Sequence, residues 1–78
     1  MAQETLEQLI FDLSVNLKSL REARGYAQDS LALDSEVHRT MISKIERRLT
    51  NPSLETLVKL ANTLEVTVSD LLRTADRL

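Results

Sequence analysis

Apolar residues return along this chain at intervals of three and four, the spacing that lines one face of a helix. Leu6, Leu9, Ile10, Leu13, Leu17 and Leu20 mark a long first helix, with a capping box at Thr5 and Gln8, a stop at Gly25 and an expected break near Ser14. Leu31, Ala32, Val37, Ile42 and Ile45 then fall at the spacings two short helices need to pack at a steep angle, the helix-turn-helix pattern. The first of the two runs from about Gln28 to a turn at Ser35-Glu36, and the second from about His38 to Arg47. Ala32 has only a methyl to offer where the helices cross, Val37 plugs the corner, and Ile42 and Ile45 form the buried stripe of the second helix. Asn51-Pro52-Ser53 is the clearest punctuation in the chain. Ser53 is placed to cap a fourth helix carrying Leu54, Leu57, Val58, Leu60, Ala61 and Leu64. Thr67 and Asp70 open a fifth, with Val68, Leu71, Leu72, Ala75 and Leu78.

The polar positions give this arrangement its chemistry. Opposite Ile42 and Ile45, the second helix of the pair carries Arg39, Thr40, Ser43, Lys44 and Arg47, hydrogen-bonding groups suited to base edges and phosphates. The net charge of −2 argues mildly against a nucleic-acid partner, since phosphate neutralisation supplies most non-specific affinity. The charge is polarised, however: residues 18–48 hold seven basic and five acidic groups, and the remainder three and seven. His38 reads as the N-cap of its helix, and Met41 lies at the rim between the buried and exposed faces.

Composition narrows the class. Glycine and proline occur once each and aromatic residues twice in 78 residues, so an all-α fold forming one domain, 1–78, is expected. Residues 1–10 would extend the first helix and 65–78 would form the last one. A core this small is marginal alone. The apolar stripe of the last helix, Val66, Val68, Leu71, Leu72 and Ala75, is therefore expected to form a two-fold dimer interface. Without cysteine, and with one histidine, no metal site is expected. No nucleophile–base pair or phosphate-cradling glycine loop points to an enzyme or a cofactor. No apolar run approaches the roughly 20 residues that cross a bilayer, and the opening Met-Ala-Gln-Glu-Thr lacks the regions of a signal peptide, so the expected location is the cytoplasm.

Leu20-Arg21, Arg24-Gly25, Gln28, Leu31-Ala32, Val37, Ile42-Ser43-Lys44-Ile45-Glu46-Arg47 and Asn51-Pro52-Ser53-Leu54 together resemble the five-helix, lambda-repressor-like DNA-binding domain of the Cro and phage-repressor (XRE) family. The resemblance covers about residues 11 to 72. Within that family, His38-Arg39-Thr40 before Ile42-Ser43 is similar to the controller proteins of restriction–modification systems. The resemblance implies base reading by Arg39, Thr40, Ser43 and Lys44, and phosphate contacts from Gln28, Arg47, Arg48 and Asn51. It also implies an ion pair between Arg21 and Glu46 tying the third helix to the first. The implied partners are a pseudo-palindromic double-stranded operator, a second copy of the chain, and RNA polymerase. An antitoxin of a toxin–antitoxin pair, and a helical interaction adaptor without DNA binding, are the alternative readings.

Three positions depart from the family pattern. Ala27 stands where a capping Ser or Thr is usual, a loss of about 1 kcal/mol. Glu36 stands where the turn commonly has glycine, and a left-handed backbone there costs a non-glycine residue roughly 1–2 kcal/mol. The expectation is a frayed second helix and a re-shaped turn. Arg48 replaces another common glycine after the recognition helix.

Overall fold

A computed structural model describes residues 4–75. Among them are five helices and no strand: α1 (Leu6–Ala23), α2 (Gln28–Ser35), α3 (Arg39–Glu46), α4 (Leu54–Leu64) and α5 (Val68–Leu71). Three of the helices start as their sequences dictate. The Gln8 amide donates to Thr5 Oγ1 at 3.1 Å while Gln8 Oε1 accepts from the Thr5 amide at 3.0 Å, and Thr67 and Asp70 make the same reciprocal pair for α5. Ser53 Oγ accepts from the Thr56 amide at the start of α4.

The helix ends share one device. After α1, the Tyr26 amide donates to Arg21 O and the Gly25 amide to Glu22 O, with Gly25 left-handed at φ 75°. The same pair of bonds closes α3 through Leu49 and Arg48, and α4 through Val66 and Glu65, with Arg48 (φ 62°) and Glu65 (φ 58°) in the left-handed position. Glu36 (φ 60°) follows α2 in that conformation too. The turn therefore keeps the glycine-type geometry with a glutamate in it, and is not re-shaped. Burial of Val37 and partial burial of Val66, the residues that follow two of these turns, offsets the conformational cost.

Leu13, Leu17, Leu31, Val37, Ile42, Ile45, Leu57, Leu60, Ala61, Leu64 and Leu71 make one core, with Ala32, Met41, Val66, Val68 and Leu72 packed half-buried around it. Burying a Leu or Ile side chain contributes about 1.5–3 kcal/mol, so this cluster dominates the stabilisation. The stripe expected on α4 is narrower than its apolar residues suggest, because Leu54 (72% exposed) and Val58 (46%) face outward.

Two elements differ from expectation. α1 runs unbroken through Ser14, whose hydroxyl donates back to Phe11 O at 2.7 Å within the helix. α5 ends at Leu71, because Asn16 Nδ2 on α1 donates to Leu71 O (2.9 Å) and Arg73 O (2.7 Å). Beyond it the Ala75 amide donates to the buried carboxylate of Asp12. The segment after α5 is thus strapped along α1 by two polar residues one helical turn apart. Leu78 lies outside the described residues.

Candidate nucleic-acid interface

α2 and α3 pack against each other through the residues whose spacing marked the pair, Leu31, Val37, Ile42 and Ile45, all four buried. Ile42 and Ile45 fix α3 from behind, and its other face carries Arg39, Thr40 and Lys44 exposed and Ser43 half-buried. Arg47, the residue that caps α3, donates from Nε to Ser43 Oγ at 3.1 Å, so these two side chains present one joined polar surface. At the other end His38 Nδ1 accepts from the Thr40 amide at 3.1 Å. A neutral imidazole accepting at Nδ1 carries its proton on Nε2. His38 is thus the N-cap that starts the helix.

Glu46 holds the helix in place. Its carboxylate accepts from Arg21 Nε at 2.7 Å and Nη2 at 3.0 Å, a forked, nearly solvent-free pair whose side chains are 10% and 5% exposed. Arg21 Nη1 also donates to Tyr26 O, so the end of α1, the loop after it and the end of α3 are tied at one point. The hydrogen bond to Glu46 raises the affinity of the Arg21 guanidinium for its proton above the ordinary value, against the opposing effect of burial. Gln28 Nε2 donates to the same carboxylate at 3.1 Å, which orients the Gln28 side chain at the N-terminus of α2.

The sequence-based site residues separate into two groups here. Arg39, Thr40, Ser43, Lys44 and Arg47 share the outward side of α3 and its exit, with Gln28 at the adjacent start of α2 and Asn51 exposed in the following loop. Arg48 does not join them. Its Nε donates to Ser14 Oγ at 3.1 Å and its guanidinium lies over the Phe11 ring, so it packs back on α1; the left-handed backbone at residue 48 turns the chain there. Leu71 also leaves its expected group, being fully buried in the core of the chain and so without surface for a dimer contact. Val66, Val68, Leu72 and Ala75 are half-buried.

The start of α2 is firmer than its Ala27 cap implies. Ser30 Oγ accepts from the Ala27 amide at 3.0 Å, satisfying one of the donors at this end from inside the helix. One ion pair beside these residues escaped the sequence reading altogether: Asp29 Oδ1 lies 2.8 Å from Arg39 Nε. Ten positions and a turn separate them, so no helical periodicity pairs the two. Among the described residues there is no group of three or more His, Cys, Asp or Glu side chains placed to hold a metal ion. No helix among them is long and apolar enough to cross a membrane.

A helix-turn-helix family profile matches residues 17–71. The chain is 43% identical over 60 residues to the HTH-type transcriptional regulator DdrOP3 of Deinococcus deserti, covering 77% of this chain and 46% of that one. It is 40% identical over 60 residues to the control protein C.SmaI of Serratia marcescens, covering 77% and 71%. The crystal structure of the restriction-modification controller protein C.AhdI from Aeromonas hydrophila superposes with a TM-score of 0.76 at 32% identity, covering 80% of this chain and 94% of that one. The chain spans less than half the length of the Deinococcus regulator. These relatives are named as regulators and control proteins, not as enzymes.

Proposed function

The chain belongs to the helix-turn-helix family and is related to restriction–modification controller proteins; from that premise we propose that it is a homodimeric transcriptional regulator of its own operon. The observation that carries the reading is the outward side of α3 and its exit, where Arg39, Thr40, Ser43, Lys44 and Arg47 stand together on a helix clamped from behind by Ile42, Ile45 and the Glu46–Arg21 pair. A rigid helix presenting these groups fits the major groove. Arg39 suits guanine O6 and N7, Thr40 and Ser43 suit donor or acceptor edges, and Lys44 suits guanine or a phosphate. Gln28, Arg47 and Asn51 flank the helix at positions suited to phosphates, which fix register.

One such helix makes too few contacts for tight specific binding. The half-buried Val66, Val68, Leu72 and Ala75 form the surface through which a second copy would double them, setting two recognition helices about 34 Å apart on a pseudo-palindromic operator. Residues 1–78 then act as one unit, with operator occupancy rising steeply with protein concentration.

The test is binding to the DNA upstream of the gene and to a random duplex, each at two salt concentrations. Two protomers per specific site and a negative slope of log affinity against log salt are expected. Equal affinity for the two duplexes, or one protomer per site, would overturn the reading.

A further inference from the structure

Asp29 is an unexpected residue to find beside a DNA-reading helix. It is 79% exposed, it sits in the first turn of α2, and a carboxylate near phosphates is repelled by them. An exposed ion pair contributes little to folding. The dipole of α2 accounts for an acidic residue in its first turn. It does not account for that carboxylate lying 2.8 Å from Arg39 Nε, across the turn, at the first residue of α3.

The contact is made at Nε. A guanidinium forks onto guanine O6 and N7 through a pair of N–H groups, and a carboxylate whose closest approach is to Nε cannot occupy all five of its donors. An arginine without a fixed partner reaches equally well for the nearest phosphate, which every sequence offers. Resting on the reading of Arg39 as a base contact, we propose that Asp29 is a specificity-determining residue: it holds the Nε edge of Arg39 so that the terminal nitrogens meet a base, and it penalises the phosphate-bound arrangement. Asp29 is a positioning residue and does not itself contact DNA. Two effects act together on non-specific DNA: binding there must break the pair, and it leaves the carboxylate facing phosphate unneutralised. On the operator the pair persists, and Arg39 loses less conformational freedom on binding because it is already oriented.

The experiment compares Asp29→Asn and Asp29→Ala with the wild-type chain on the upstream DNA and on a random duplex, across a salt series. Both variants are also made with Ala27→Ser, which restores a side-chain cap to α2 if the lost carboxylate loosens it. The expected result is a threefold to tenfold gain in affinity for the random duplex, on the order of one added contact, with its salt slope steeper by about 1 as Arg39 takes up a phosphate. Operator affinity should change less than twofold, so the specificity ratio falls. In the Arg39→Ala background, Asp29→Asn should leave the ratio unchanged. Equal gains on both duplexes would reduce Asp29 to a general repulsive charge and overturn the proposal, as would a ratio that still shifts without Arg39. Arg39→Ala alone tests the underlying reading: equal loss on the two duplexes would remove Arg39 from the base-reading set and Asp29's role with it.

Discussion

Arg48 holds its guanidinium 4.4 Å from the centre of the Phe11 ring, joining the exit of α3 to the first half of α1. With the bond from Nε to Ser14 Oγ, this contact gives the cationic residue after α3 a structural task. The same residue carries a left-handed backbone at φ 62°. Its side chain and its main chain therefore act on stability in opposite directions.

Replacing Arg48 separates these effects. Arg48→Ala removes a cation–π contact of about 0.5–1 kcal/mol and a hydrogen bond of similar size while keeping a Cβ in the left-handed conformation, so a loss of about 1–2 kcal/mol is expected in urea denaturation. Arg48→Gly loses the same contacts but escapes a steric cost of roughly 1–2 kcal/mol, less the entropy glycine forfeits on folding. It should be about 1 kcal/mol more stable than the alanine variant. In DNA binding, Arg48→Ala should leave the salt slope unaltered; a slope flattened by about 1 would return Arg48 to the phosphate-binding set.

The Arg21–Glu46 pair responds differently to single and double replacement. Glu46→Ala strands a guanidinium whose side chain is only 10% exposed, and removing one partner of a buried pair costs about 3–5 kcal/mol. The pair lies at the rim of a small core, so the lower end is expected, still a large share of a typical total of 5–15 kcal/mol. Arg21→Met with Glu46→Leu should recover most of the lost stability, because no charge is then buried. It should not recover operator affinity, since Gln28 loses the carboxylate that orients it. Thermal melts and binding measured on the same three proteins check both halves.

Much of this architecture is legible in local sequence because its signals are local. Thr5 with Gln8, Ser53 with Thr56, and Thr67 with Asp70 cap helices across three positions, and Leu31, Val37, Ile42 and Ile45 declare their burial by spacing. The errors arise where a distant side chain decides. α5 stops at Leu71 because Asn16, 55 positions away, takes its carbonyl. Arg48 packs over Phe11 and donates to Ser14 on α1, contacts more than thirty positions away that no local signal announces. Leu54 and Val58 share the periodicity of the core but lie outside it, since periodicity marks a stripe and not its width. Glu36 takes the conformation glycine usually supplies because the core that buries Val37 fixes the turn.

Tyr26 gives the pH dependence a sign. Its hydroxyl donates to Asp34 Oδ2 at 2.9 Å, and this bond, followed by partial desolvation and the carboxylate's charge, raises the phenol above its ordinary pKa of 10.0. A raised folded-state value means that the contribution is complete below the unfolded phenol's pKa and is lost as pH rises through the folded one. Because the chain has one tyrosine and no tryptophan, an ultraviolet absorbance titration reports this group alone. The midpoint should lie above 10.0 and fall toward it in Asp34→Ala. On the acid side Asp70 behaves oppositely: bonds from Thr67 lower its pKa, so its contribution is present above the ordinary carboxylate range and lost as pH falls through the lowered value.

Ala27→Ser should stabilise the protein by about 1 kcal/mol. Ala27 already has the extended backbone of a helix cap, φ −78° and ψ 167°, but no side chain to accept from the amides that follow. Ser30 satisfies the Ala27 amide from inside the helix, and a serine hydroxyl at 27 would return the favour by accepting from the Ser30 amide, completing a reciprocal pair like that of Thr67 and Asp70. The gain should appear as a higher urea midpoint with an unchanged slope, and as slower hydrogen exchange at the Ser30 amide. Because Gln28 and Asp29 occupy the first turn that this cap secures, the substitution also bears on DNA binding: a firmer turn should leave the specificity ratio intact or raise it. A midpoint that does not move would mean that the Ser30 hydroxyl and solvent already satisfy that end of α2, so the alanine costs the fold nothing.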